Sequence, residues 1–320
     1  MARVVVSDDA MIRTETLASV LGERATVDSA ALETTEDIID AVGDAEALVV
    51  DVNTPVPAAV FEQCDRLEIV ARAGVGVDGV DIPAAAHGVT VTNVPEYCRE
   101  EVSTHAVSLL LASVRRLNVY DRAVKRGQWS WTDGQPIHRL AGETVGFLSF
   151  GQLAKATAEK LAGFDCRLVA TDPFVDSEAM AEYGVEKVGF DDLLAEADHV
   201  SIHAPLTDET RHLFDREAFE RMSETAVVVN VGRGGIVDEE ALAWALRNDE
   251  IAAAALDVIE DEPLTDSPLA DRDEVILTPH AAFYSEESVT ELNRWIATDI
   301  LAVLAGDRPE GYVDPEADWL

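Results

Sequence analysis

The sequence predicts an α/β protein made of two doubly wound parallel-sheet domains. Three observations predict it. Strand-like and helix-like stretches alternate almost throughout, as in a parallel sheet with helices on both faces. The alternation begins a second time after one long helix-like segment. The chain of 320 residues is long enough for two domains. Along the first part, 3–7, 47–52, 68–71 and 89–91 read as short strands, with helical runs at 12–21, 35–42 and 57–63 between them. Asn93-Val94-Pro95 suggests a boundary near residue 95, because the chain then enters one long helix over 100–127 with regularly spaced Val102, Ala106, Leu109, Leu110 and Val114. Gln128–Pro136 reads as an extended arm bearing Trp129 and Trp131. The second alternation places strands at 144–149, 167–171, 199–203, 226–231, 252–256 and 274–277, a helix over 154–162, and a last helix over 286–304 before a short acidic tail.

Composition narrows the class. Hydrophobic residues make up 48% and charged residues 27%, which suits a soluble chain able to build sizeable cores. No apolar run approaches the roughly 20 residues of a membrane helix, and Met1–Ser7 has no signal-peptide layout, so a cytoplasmic protein is expected. Cys64, Cys98 and Cys166 are far apart and lack metal-ligand spacing; free thiols and no metal are expected. Asp and Glu total 62 against 24 Lys and Arg, a net charge of −38, and the only lysines are Lys125, Lys155, Lys160 and Lys187. The acid is spread along the chain, so its self-repulsion calls for screening. Near molar salt the Debye length falls to about 3 Å. A salt-accumulating source is expected, and nucleic acid and anionic membranes are not expected partners.

A glycine turn follows the strand at 144–149. Against the pattern G-x-G-x-x-G/A, the positions are Ser149, Gly151 and Ala154. The middle glycine, where backbone must approach a pyrophosphate, is present, while Ser149 departs from the pattern. Asp172 ends the next strand, where a carboxylate accepts from an adenosine ribose and repels a 2′-phosphate. A turn or helix-capping role for Asp172 before Pro173 is the alternative. Strand, turn, helix, strand and acid in register point to a dinucleotide site, with NAD favoured over NADP.

Three further groups stand just past apolar runs, where parallel sheets place their ligands. Arg233 follows Val228–Gly232, Glu262 follows Leu256–Asp261, and His280 ends Val275–Pro279. A cation to polarise a keto oxygen, an imidazole to give a proton and a carboxylate to keep that imidazole charged are what reduction of a 2-keto acid requires.

These stretches, from about Val70 to Leu301, resemble the D-isomer-specific 2-hydroxyacid dehydrogenase family. Arg72–Asp78 is similar to its substrate-carboxylate loop, and Asn93–Pro95 with Glu100–Val102 to the entry of its cofactor domain. Val200–Thr207 resembles its adenine and ribose loop. Asn230–Asp238, Leu256–Leu264 and Thr278–His280 resemble its catalytic blocks. The resemblance implies a Rossmann NAD domain over 96–287, inserted in a flavodoxin-like substrate domain of 1–95 and 288–320. It implies that Arg233 binds and polarises substrate, that His280 is the acid/base, and that Glu262 orients and charges it. Ser149, Gly151, Gln152, Leu153, Asp172, His203, Pro205, Val231, Gly232, Asp257 and Ala282 would line the cofactor. Backbone N–H groups of Val75 and Gly76 would cradle the substrate carboxylate. Arg72 would add charge there or form an outward salt bridge. His203 fits a structural strand end or the cofactor edge.

His280–Ser285 is most similar to the branch that includes the C-terminal binding proteins, with Phe283 where a tryptophan is common, facing the substrate side chain. Phosphoglycerate dehydrogenases are also near relatives. The expected substrate is a small 2-keto or D-2-hydroxy acid such as phosphoglycerate, hydroxypyruvate or glyoxylate. The alternative is an NAD(H)-responsive interaction protein. Formate dehydrogenases, which usually carry glutamine in place of the carboxylate, fit less well because of Glu262. A homodimer through 100–136 is expected, with Trp129 and Trp131 at the interface or else packed on their own domain.

Overall fold

A computed structural model describes residues 1–77, 79–85 and 88–316. Asp78, which closes the Arg72–Asp78 stretch, and the end of the acidic tail lie outside the described residues. In chain order the elements are β1 (Ala2–Ser7), α1 (Thr14–Leu21), β2 (Ala25–Ala30), α2 (Thr35–Val42), β3 (Ala47–Val50), α3 (Ala58–Gln63), β4 (Ile69–Arg72), α4 (Ile82–Ala85) and β5 (Thr90–Thr92). Then follow α5 (Arg99–Val114), α6 (Leu117–Lys125), β6 (Thr144–Leu148), α7 (Gln152–Leu161), β7 (Arg167–Thr171), α8 (Ser177–Ala181), β8 (Val185–Lys187) and α9 (Phe190–Glu196). The series ends with β9 (His199–Ile202), α10 (Arg216–Glu220), β10 (Val227–Asn230), α11 (Glu239–Arg247), β11 (Ala253–Leu256), β12 (Val275–Leu277) and α12 (Glu286–Leu304). The chain divides into two compact units, 1–98 with 285–320, and 99–284.

The first unit holds a parallel sheet of order β2-β1-β3-β4-β5, the flavodoxin-like arrangement. Its central strands β3 and β4 are buried at every residue, because helices cover both faces. α2 starts with a capping box in which Thr34 and Asp37 satisfy each other's backbone N–H. α12 starts with a similar reciprocal cap between Ser285 and Ser288. Buried Asn293 of α12 accepts from the Arg13 N–H at 2.8 Å and donates to the Met11 carbonyl at 2.8 Å, so no polar atom of its amide is stranded.

The second unit holds a parallel sheet of order β12-β11-β10-β9-β6-β7-β8. The chain winds outward from β6 to β8, then crosses to β9 and winds the other way to β12. The reversal lies between β6 and β9, and such a point is where doubly wound sheets open a crevice at their carboxyl ends. One row of paired residues crosses six of the strands: Thr171, Leu148, Ile202, Asn230, Leu256 and Leu277. The residues that follow them are Asp172, Ser149, His203, Val231, Asp257 and Thr278. Six positions at the carboxyl ends of the strands thus stand side by side along one edge of the sheet.

Several expectations are corrected. The helix expected over 100–127 is two helices, α5 and α6, because Arg116 takes left-handed backbone at φ 54° and turns its guanidinium to the Ala252 carbonyl at 2.6 Å. α7 begins at Gln152, two residues ahead of the expected 154. The arm over 128–136 is not extended throughout. It contains a 3-10 turn at Trp131–Gly134, which Ser130 caps and the Tyr120 hydroxyl ties down by donating to the Trp131 carbonyl at 2.7 Å. Neither tryptophan packs on its own unit, Trp129 being 89% and Trp131 73% exposed. β2 and β8 are additions to the sequence reading; both are edge strands, with polar residues facing solvent.

Candidate active site

The site is built on the loops that leave β10, β11 and β12. Asn230, the last residue of β10, is fully buried and shapes the first loop. Its side-chain oxygen accepts from the Gly232 N–H at 3.0 Å, and its amide donates to the Arg233 carbonyl at 3.0 Å. The turn lies flat because it carries glycine where it is crowded. A Cβ on Gly232 would come 2.7 Å from the Ala204 carbonyl oxygen, and one on Gly234 would come 1.8 Å from that of Ile259. Arg233, held between these glycines, is half-buried and donates from Nη1 to the Gly232 carbonyl at 3.0 Å.

The β11 loop carries Glu262. Its Oε1 accepts from the Ile259 N–H at 3.2 Å, and its Oε2 accepts from His280 Nδ1 at 2.8 Å. A carboxylate only accepts, so the proton lies on Nδ1 and Nε2 is left for another partner. The two side chains are 32% and 33% exposed, so the pair is within reach of a small molecule. Burial works to raise the Glu262 pKa. The hydrogen bond and charge of His280, the Ile259 N–H and the charge of Arg233 outweigh it and hold the carboxyl below the ordinary carboxylate range. Arg233, Glu262 and His280 are therefore brought into one electrostatic group.

His280 itself sits on left-handed backbone at φ 52°, and its N–H donates to the Asp257 carbonyl at 2.8 Å. Asp257 is 2% exposed. Its carboxylate accepts from the Thr278 hydroxyl at 2.5 Å and from the N–H groups of Ala281 and Ala282 at 2.9 Å each. Asp257 and Ala282, both expected beside a cofactor, are thus bonded to each other. Phe283 is half-buried, with its ring edge-to-face against the 56% exposed Tyr284.

Farther along the same sheet edge, Gly151 opens α7. An added Cβ there would meet nothing within 4 Å, and α7 has no side-chain cap, whereas α8, α10 and α11 are capped by Asp176, Asp215 and Asp238. An uncapped helix start behind an open glycine turn suits a pyrophosphate. Ser149 adopts φ 68° and so takes the conformation that glycine would have supplied. Its hydroxyl donates to Asp172 Oδ2 at 3.1 Å; the Phe150 N–H adds a bond to the same oxygen at 2.8 Å, and the Phe174 N–H one to Oδ1 at 2.8 Å. Asp172 is fixed in place at the end of β7, which meets the turn requirement and leaves lone pairs over for a ribose. Gln152, Leu153 and Pro205 lie at the surface of these turns. Val231 and Gly232 are buried beneath them. The donor set fits a dinucleotide.

His203 follows the end of β9. Its Nε2 pairs with Ser201 Oγ at 2.9 Å, its ring lies against Phe147, and burial pushes its pKa down to about 3. In the first unit, Arg72 is 3% exposed at the end of β4. Its Nη1 lies 3.9 Å from where a Gly74 Cβ would stand. Asn93 donates to the Val75 carbonyl at 2.6 Å and the Val94 N–H to the Gly74 carbonyl at 2.9 Å, fastening the loop that carries half-buried Val75 and Gly76. Asn230, Gly234 and Thr278 enter the sequence reading only within the blocks Asn230–Asp238 and Thr278–His280, without roles of their own. The signal for Asn230 was available: an amide ending a fully apolar strand must find partners within the fold. Among the described residues no group of acidic, His or Cys side chains could hold a metal ion, and no helix is long and apolar enough to cross a membrane.

The profile of the family described as D-isomer specific 2-hydroxyacid dehydrogenase, NAD binding domain, matches residues 107–282. The chain is similar to a D-3-phosphoglycerate dehydrogenase of Mycobacterium leprae, with 39% identity over 84% of this chain and 51% of that protein. It spans about half the length of that relative. It is also similar to a glyoxylate reductase of Korarchaeum cryptofilum, 38% identical over 87% of this chain and 86% of that one. The crystal structure of a protein from Thermus thermophilus superposes with a TM-score of 0.88 at 29% identity, covering 98% of this chain and 100% of the other. With 99–284 folded as an NAD-binding Rossmann unit, the chain belongs to the D-isomer-specific 2-hydroxyacid dehydrogenase family.

Proposed function

We propose that this protein is an NAD-dependent oxidoreductase that interconverts a small 2-keto acid and the D-2-hydroxy acid. The observation that carries the reading is the 2.8 Å contact between His280 Nδ1 and Glu262 Oε2 beside Arg233. NADH, when bound, would supply the hydride to the keto carbon. His280 delivers a proton from Nε2 to the keto oxygen, while Glu262 stabilises the charged imidazole through Nδ1. Arg233 balances the charge that develops on that oxygen. Asp172 and Ser149 hold the adenosine ribose, and the first turn of α7 with Gly151, Gln152 and Leu153 takes the pyrophosphate. Pro205 and His203 border the adenosine side; Val231, Gly232, Asp257 and Ala282 border the nicotinamide side.

The unit of 1–98 and 285–320 serves as the substrate domain. Val75 and Gly76 offer backbone N–H groups to the substrate carboxylate, and buried Arg72 supplies positive potential behind them. Phe283 faces the substrate side chain. Relatives named for 3-phosphoglycerate and glyoxylate support phosphoglycerate, hydroxypyruvate or glyoxylate as the substrate class. The exposed Trp129 and Trp131 support a homodimer through 100–136. The net charge of −38 supports a saline cytoplasm.

The test is NADH oxidation against a panel of 2-keto acids in buffers up to multimolar KCl, with Arg233→Ala alongside. Loss of roughly 100-fold to 1,000-fold in turnover with NADH binding retained is expected. Near-normal turnover in that variant would overturn the assignment. Tight NADH binding without turnover in the parent protein would favour a cofactor-sensing interaction protein.

A further inference from the structure

Behind the proposed acid–base pair lies a second chain of hydrogen bonds to which the proposed proton transfer assigns no role. His105, on α5 and 25% exposed, places Nε2 3.0 Å from Thr278 Oγ1 and 3.5 Å from Asp257 Oδ1. Thr278 Oγ1 in turn lies 2.5 Å from Asp257 Oδ1. The proton count fixes the direction of the chain. A threonine hydroxyl has one proton, and the carboxylate of Asp257 can only accept it. The contact from His105 must then be an Nε2–H donated to a lone pair of Thr278. Each group has one orientation that satisfies the next.

The far end of this chain is the loop that presents His280. Asp257 accepts from the N–H groups of Ala281 and Ala282, and its backbone carbonyl accepts from that of His280. His280 holds φ 52°, a conformation that a non-glycine residue keeps only when its surroundings enforce it. The enforcing carboxylate is 2% exposed, so water does not replace a lost partner easily.

We propose that His105 is a positioning residue for the acid–base loop: donating through Thr278, it locks the Asp257 carboxylate that clamps the backbone at 280–282. The inference rests on the reading of His280 as the proton donor, but the clamp itself is a property of the protein without cofactor. His105→Leu and Thr278→Val remove the donor and the relay. His105→Gln keeps an N–H near the place of Nε2, and Thr278→Ser keeps the hydroxyl.

The experiment measures amide hydrogen exchange at Ala281 and Ala282 by NMR in the cofactor-free protein, with the β10 amide of Val229 as internal control. Exchange at 281 and 282 is expected to rise about tenfold or more in the Leu and Val variants, to return toward the parent rate in the Gln and Ser variants, and to stay unchanged at Val229. Turnover should fall in the same order, through kcat rather than through the Kd for NADH. Parent-like exchange in a folded His105→Leu protein overturns the proposal. If that variant does not fold, nitrogen shifts of His105 in the parent protein decide: a protonated Nε2 supports the relay and a bare Nε2 overturns it. Should the parent reduce no 2-keto acid while exchange responds as described, the clamp stands and the catalytic reading of His280 falls.

Discussion

The hydroxyl of Ser149 and the carboxylate of Asp172 are joined at 3.1 Å across the ends of β6 and β7. The residue that departs from the glycine pattern thus becomes a support for the acid that completes it. Its backbone at φ 68° carries a cost that the hydrogen bond helps to offset.

That arrangement separates two substitutions. Ser149→Ala loses the hydroxyl and keeps the unfavourable backbone, whereas Ser149→Gly loses the hydroxyl and gains a residue at ease there. Urea unfolding should rank the glycine variant above the alanine variant by about 1 kcal/mol. An alanine variant as stable as the parent would show that the Ser149–Asp172 bond contributes nothing.

Gly234 makes a harsher prediction. The atom a Cβ would strike, the Ile259 carbonyl oxygen, is backbone and belongs to the loop that carries Glu262. Gly234→Ala should lose about 1–3 kcal/mol or more of stability. It should also lose roughly 100-fold in turnover through misplacement of Glu262. Ordinary turnover in a folded Gly234→Ala protein would mean that the close approach is not needed.

His203 links the fold to pH. In the folded protein it takes up a proton only near pH 3, against an ordinary value of 6.5. The unfolded chain therefore binds more protons between those values, and stability falls as pH is lowered through that window. One such group gives a slope of up to about 1.4 kcal/mol per pH unit. His203→Asn should flatten the stability curve between pH 6.5 and pH 4, measured by urea titration at each pH. An unchanged slope would assign the acid sensitivity to other groups.

The charge of −38 predicts strong salt dependence. Raising KCl from 0.1 M to 1 M shortens the Debye length from about 10 Å to about 3 Å. A gain of at least about 2 kcal/mol is expected, which for units of this size is roughly 4–8 °C in Tm. Calorimetry showing a flat Tm across that range would remove the argument for a saline interior.

The parts of the fold that the sequence made legible are those where burial dictates composition. The runs that became β6, β10 and β11 are largely apolar because both sheet faces are covered. Arg233 and Glu262 were readable because each follows such a run, and His280 because it follows the short apolar β12. The edge strands β2 and β8 were not, since at least half of the residues in each face water and Asp28 or Glu186 reads as loop. The break at Arg116 was hidden as well, because nothing local demands it. It depends on the Ala252 carbonyl, 136 residues away in sequence. The clamp around Asp257 was unreadable for the same reason. Its partners are distant in the chain, and each alone is an ordinary polar residue.

The row of paired residues from Thr171 to Leu277 has a consequence for how this molecule tolerates change. Every chemical group along that edge is counted from the strand behind it, not from the loop ahead. Added residues after Pro205 or Leu264 would lengthen a loop and leave the register untouched. A single residue gained or lost within β10 would turn Asn230 and Arg233 away together. Variation in length is therefore cheap within the loops and forbidden within the strands, so the loops can drift while the row of strand ends stays where it is.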